Sequence, residues 1–144
     1  MRGRRSETRR GMGRSMASKR IRLSPKEFHA LVEQAVARIP WDIRRHLQNM
    51  VITVERRPSR ELLEEVGVPP GETLLGLYDG VPLTERAVTD PPLYPDTIYL
   101  FQEPLEELCA TREELMEEIE ITVVHEVAHA LGLSEERLRE LGYG

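Results

Sequence analysis

The sequence has one cysteine, Cys109, among 144 residues. An internal disulfide is therefore impossible, and a buried thiol packing as a small apolar residue in a reducing compartment is the expected state. Long hydrophobic runs are missing too. No stretch approaches the roughly 20 consecutive apolar residues that a membrane-spanning helix requires, which excludes such a span. The basic opening MRGRRSETRRGMGRSMASKR lacks the apolar segment that a secretory signal carries after its positive end, so the expected location is the cytoplasm. That opening also has no aromatic side chain on which a nucleobase could stack. Any contact it makes with nucleic acid is expected to be weak, unspecific and driven by counterion release. No internal repeat is visible.

What is present is unevenly placed. Residues 1 to 20 hold eight of the 20 Lys and Arg and one of the 25 acids, leaving twelve basic and 24 acidic residues from Ile21 onward. A tail rich in Arg, Gly and Ser cannot bury enough apolar surface to offset the entropy of ordering. The expected organisation is a disordered basic tail over 1–20 and one domain over 21–144, whose hydrophobic fraction of 40% supports a single modest core.

Ser24-Pro25-Lys26-Glu27 places a capping hydroxyl, a proline at the first helical position and a glutamate three residues on. Phe28, Leu31, Val32, Ala35 and Val36 then recur at helical spacing until Ile39-Pro40. A helical turn is expected over Trp41 to Leu47, a strand over Met50 to Val54 and another helical turn from Glu61 to Val66, limited by Gly67. A second strand reads over Leu74 to Tyr78, turning at Asp79-Gly80, and a third over Thr97 to Phe101. Between these two lies a loop punctuated by Pro82, Pro91, Pro92 and Pro95. Thr111 caps a long helix with Leu115, Ile119, Val123, Val127 and Leu131 on one face, ending at Gly132, and Ser134 starts a shorter helix. This order, without regular alternation of strand and helix, predicts an α+β domain in which a small mixed sheet packs against the long helix.

That helix contains His125-Glu126-Val127-Ala128-His129. Histidines four apart project from one helical face, within reach of a single zinc ion. Zinc with three protein ligands keeps a position for water and lowers its pKa to around 7, and Glu126 stands where H-E-x-x-H places a general base. Gly132 can turn the chain back toward the metal in the left-handed conformation. In the extended pattern H-E-x-x-H-x-x-G-x-x-H the final histidine position is Glu135 here. Glu135 is the candidate third ligand, with Glu136 and Glu140 as alternatives, since a carboxylate is a competent zinc ligand. His29 and His46 have no second ligand type at an adjacent turn and read as surface or packed histidines.

Three segments carry a resemblance: Leu75 to Arg86 (LGLYDGVPLTER), Pro95 to Phe101 (PDTIYLF) and His125 to Tyr143 (HEVAHALGLSEERLRELGY). They resemble the small bacterial proteins described as minimal zincin-like metallopeptidases, over most of residues 24 to 144. The resemblance implies a zincin-like fold, zinc at His125 and His129, catalysis by the Glu126 carboxylate and a peptide or protein substrate. It also implies Asp at position 135, where this chain has Glu. No Met follows the motif, so the methionine turn of metzincins cannot come from downstream. Zincins commonly lay an extended substrate along an edge strand, for which Thr97 to Phe101 is the candidate. Tyr78, Tyr99 and Arg86 are potential oxyanion stabilisers but read as structural residues. The alternative to a peptidase is a zinc-containing, catalytically idle module that binds a peptide or a partner.

Overall fold

The computed structural model describes residues 5–6, 10–12, 20–80 and 96–143. The proline-punctuated loop, Arg86 and most of the basic tail expected to be disordered lie outside these residues. Two short strands, β1 (Arg5–Ser6) and β2 (Arg10–Met12), come first. At Ser24 the hydroxyl accepts the Glu27 amide at 3.1 Å while the Glu27 carboxylate accepts the Ser24 amide at 2.9 Å. This reciprocal box satisfies two orphan donors and opens α1 (Pro25–Ala37), which buries Phe28, Leu31, Val32 and Ala35 at helical spacing. Pro40 then leads into α2 (Trp41–Arg44), a 3-10 turn over Arg45–Asn49, and β3 (Met50–Glu55).

Ser59 caps α3 (Arg60–Val66), which Gly67 ends at a φ of 86°. The apolar run expected to form one strand divides into β4 (Glu72–Leu74) and β5 (Gly76–Asp79). The two halves have different partners, which accounts for the break at Leu75. β4 pairs with β2, and β5 pairs with β6 (Asp96–Phe101). α4 (Gln102–Glu107) follows at once and has no counterpart in the sequence reading. Its Pro104 is tolerated because it falls in the first turn, where a missing N–H leaves no intrahelical bond unmade. α5 (Arg112–Leu131) starts with a second capping box, between Thr111 and Glu114, and α6 (Glu135–Glu140) starts at Ser134.

The main sheet has the order β1-β5-β6-β3. β3 and β6 are parallel, with Ile52 opposite Ile98, while β5 and β6 are antiparallel, with Tyr78 opposite Ile98. This corrects one expectation. Thr97 to Phe101 lies within β6, an interior strand paired on both sides, and so offers no edge to a substrate. The outer side of β5 carries β1, with Arg5 opposite Asp79 and Ser6 opposite Tyr78.

Alternation along the strands gives the sheet two apolar faces. Ile52, Val54, Ile98 and Leu100 face α1 and α5, joining Phe28, Leu31, Leu115, Ile119, Val123 and Val127 in the larger core. Leu77 and Phe101 face the other way with Leu74, under Leu62, Leu63 and Val66 of α3. Each fully buried Leu or Ile side chain contributes about 1.5–3 kcal/mol against chain entropy. β5 approaches α5 closely: a Cβ on Gly76 would stand 2.6 Å from Thr122 Cγ2 and 3.0 Å from the Tyr99 carbonyl oxygen. The architecture is α+β, with a small mixed sheet against the long helix.

The chain ahead of α1 is clamped to α4. Ile21 donates its amide to the Cys109 carbonyl at 2.8 Å, and Leu23 donates to buried Glu106 at 3.0 Å. Gln102 donates to both the Leu23 carbonyl and Glu106.

Candidate metal centre

α5 sets the site geometry. Its inward stripe of Leu115, Ile119, Thr122, Val123 and Val127 fixes the helix's rotation on the sheet, and that rotation decides where the motif faces. Glu126 falls on the buried side with 0% of its surface exposed, while His125 is half-buried and the His129 side chain is 27% exposed. The two histidines stand one turn apart on the rim of the helix, about 40° apart in projection at 3.6 residues per turn. The Glu126 Oε1 atom lies 3.9 Å from His129 Nδ1. The Glu126 carboxylate is thus held out of water beside a partly open imidazole.

Past His129 the helix ends in the left-handed conformation at Gly132, φ 72°. The Gly132 amide donates to the His129 carbonyl at 3.2 Å and the Leu133 amide to the Ala128 carbonyl at 2.9 Å. These bonds close the last carbonyls of α5 and turn the chain into α6, whose Leu138, 1% exposed, seats the short helix on the core. Glu135 is the first residue of α6 and is exposed, as is Glu136. Glu140 is engaged by Arg137 at 2.9 Å. The structure therefore joins His125, Glu126 and His129 on one helix but does not bring Glu135 to them. Among the described residues no group of three or more His, Cys, Asp or Glu side chains is arranged to hold a metal ion.

The end of the described chain returns to the motif. His125 Nε2 donates to the Tyr143 carbonyl at 2.9 Å, and the Tyr143 hydroxyl donates to Glu120 at 2.7 Å. Glu120 in turn meets Arg38, the residue that caps the end of α1, at 3.2 Å. Burial, then the bond to Glu120 and that residue's negative charge, push the Tyr143 phenol up to about 12, against a smaller opposing effect from Arg38. Tyr143 and Glu120 were missing from the sequence-based candidates. The only signal for them was a tyrosine behind a glycine near the end of the chain.

The other candidates stand elsewhere. Tyr99 lies on the α3 side of the sheet, lining a cavity of about 290 Å³ with Glu55, Glu61, Glu65 and Leu77. Tyr78 is wholly buried on the α5 side, and its hydroxyl reaches the backbone at Gly80, where a Cβ would stand 2.7 Å away. His29 is exposed on α1, and burial followed by the charge of Arg45 lowers the pKa of His46. Cys109 is buried and in no disulfide, as its packing role requires.

The two imidazoles that α5 supplies, His125 and His129, fit the ligand preferences of zinc, with the Glu126 carboxylate beside them. Residues 47–144, from the 3-10 turn through α6, match a family model described as zincin-like metallopeptidase. No curated protein matches the chain.

Proposed function

The chain belongs to the zincin-like metallopeptidases, and from that membership we propose that it is a zinc-dependent peptidase with His125 and His129 as ligands and Glu126 as general base. The observation that carries this reading is the complete burial of Glu126 on the helix that presents both histidines at its rim. Zinc held there would supply a Lewis acid and a water that ionises near neutral pH. Glu126 takes the proton of the attacking water and returns it to the departing amine, the two halves of general acid–base catalysis. Burial on the core side of α5 limits the carboxylate's rotamers and aims it consistently.

Glu135 is proposed as the third ligand. It begins α6 just after the Gly132 turn, and among the described residues it has no hydrogen bond or ion pair, whereas Glu140 is committed to Arg137. Reaching the histidines requires its side chain, one methylene longer than aspartate, to swing from solvent toward α5. A substrate of peptide or flexible protein chain follows from the peptidase reading, and a single buried cysteine, Cys109, fits a cytoplasmic setting. A second reading is a zinc-holding module that recognises a partner without cleaving it.

Cleavage of a mixed peptide library, with and without a chelator, separates the two. Chelator-sensitive cleavage that Glu126→Gln abolishes supports the peptidase. Stoichiometric zinc with no cleavage of any peptide leaves the binding module.

A further inference from the structure

The sheet has one flank at β3 and the other beyond β5, and it is β5 that lies against the motif helix. α5 packs more closely on β5 than on β6. At the crossing, Thr122 Cγ2 would stand 2.6 Å from a Cβ on Gly76, and Thr122 is one helical turn ahead of Glu126. An extended peptide can dock on a sheet by adding a strand, through main-chain hydrogen bonds that tolerate many sequences. β6 is paired on both sides, so a strand added close to the motif helix must lie along the outer side of β5.

That place is taken by the chain itself. β1 pairs with β5 in the antiparallel sense, Arg5 opposite Asp79 and Ser6 opposite Tyr78. The hold is short, a strand of 2 residues. Among the described residues, Gly76 and Leu77 have a strand partner on the β6 side only. β2, paired with β4 from Arg10 to Met12, keeps the segment close when β1 lets go.

We propose that β1 is an intramolecular competitor of the substrate: it occupies the side of β5 on which an extended peptide is laid, and cleavage requires its displacement. The proposal rests on the peptidase reading above and adds a regulation of that site. A tethered segment acts at high local concentration, and the apparent affinity for a free peptide falls by the fraction of molecules whose β5 is open. Charge favours the closed arrangement, since the first 20 residues carry eight basic groups against one acid and the rest carries twelve against 24. That attraction weakens as salt is raised, which makes the segment displaceable.

The test uses the full chain with Arg5→Pro and Ser6→Pro together, which remove both backbone donors of β1. Folding is checked by circular dichroism, and Ser6→Pro alone, the milder change, keeps the test available if the double variant fails to fold. Three readouts are compared with wild type. Hydrogen exchange over residues 76–79 should quicken in the variant. A fluorescent peptide with the sequence of residues 1–12, followed by anisotropy with a chelator present so that nothing is cleaved, should bind the variant about 10-fold more tightly. In cleavage of the peptide library without chelator, KM should fall by about the same 10-fold with kcat unchanged. Unchanged exchange, or quicker exchange with peptide affinity and KM as in wild type, overturns the proposal and leaves the peptidase reading standing. Cleavage of no peptide by either protein overturns the peptidase reading and this proposal with it.

Discussion

Glu126 has no exposed surface and stands one residue from half-buried His125. If Glu126 is the base, replacing it by glutamine keeps the shape and removes the proton acceptor. Turnover should fall by about 10²–10⁴-fold with zinc content unchanged, measured side by side on the same preparation. Tyr143 gives a second expectation. Its phenol is raised to about 12, so the neutral form is the one the fold favours. The stabilisation is complete below the ordinary tyrosine pKa of about 10 and is lost as pH climbs through about 12. An ultraviolet titration of the folded protein should resolve one tyrosinate forming near pH 12, and Tyr143→Phe should remove it. The motif was legible because a four-residue spacing on a helix determines a shared face. The Tyr143 contact was not, because its acceptor is a backbone carbonyl, which every residue has, placed by tertiary packing. Glu135 was ambiguous for the same reason: beyond Gly132 the direction of the chain is set by how Leu138 seats, not by periodicity.

Among the elements, α5 is held by its cap and by its closeness to β5. The Thr111 hydroxyl accepts the Glu114 amide at 3.1 Å while Glu114 accepts the Thr111 amide. Thr111→Ala should cost ~1 kcal/mol in urea unfolding. Gly76→Ala places a methyl 2.6 Å from Thr122 Cγ2 and should destabilise by about 1–3 kcal/mol. Adding Thr122→Ser, which deletes that methyl, should recover part of the loss in a double-mutant cycle, and strict additivity would contradict the packing described. Capping residues made the starts of α1, α5 and α6 readable in advance, whereas the Ser59 cap of α3 was not anticipated. α4 escaped because six residues are too few for a periodic signal. The β4–β5 break escaped because an apolar run does not say which strand each half will meet. The interior place of β6 depends on its parallel pairing with β3, which joins residues far apart in sequence.

At the scale of the whole molecule, charge and topology meet at the outer strands. The first 20 residues carry eight basic groups against one acid, and the rest carries twelve against 24. β1 and β2, from the basic segment, pair with β5 and β4 of the acidic body. If this attraction helps seat them, hydrogen exchange over residues 72–79 should quicken as salt is raised. Exchange indifferent to salt would leave the pairing to backbone bonds alone. The sheet and both cores serve to hold one face of α5 inward, so that the opposite rim presents His125 and His129. The measurement that tests this most directly is the metal content of the purified chain beside His129→Ala, with folding of both checked by circular dichroism. The account predicts one zinc per chain in the wild type and loss of it in a folded variant. A wild type without zinc, or a variant that holds as much, would contradict it.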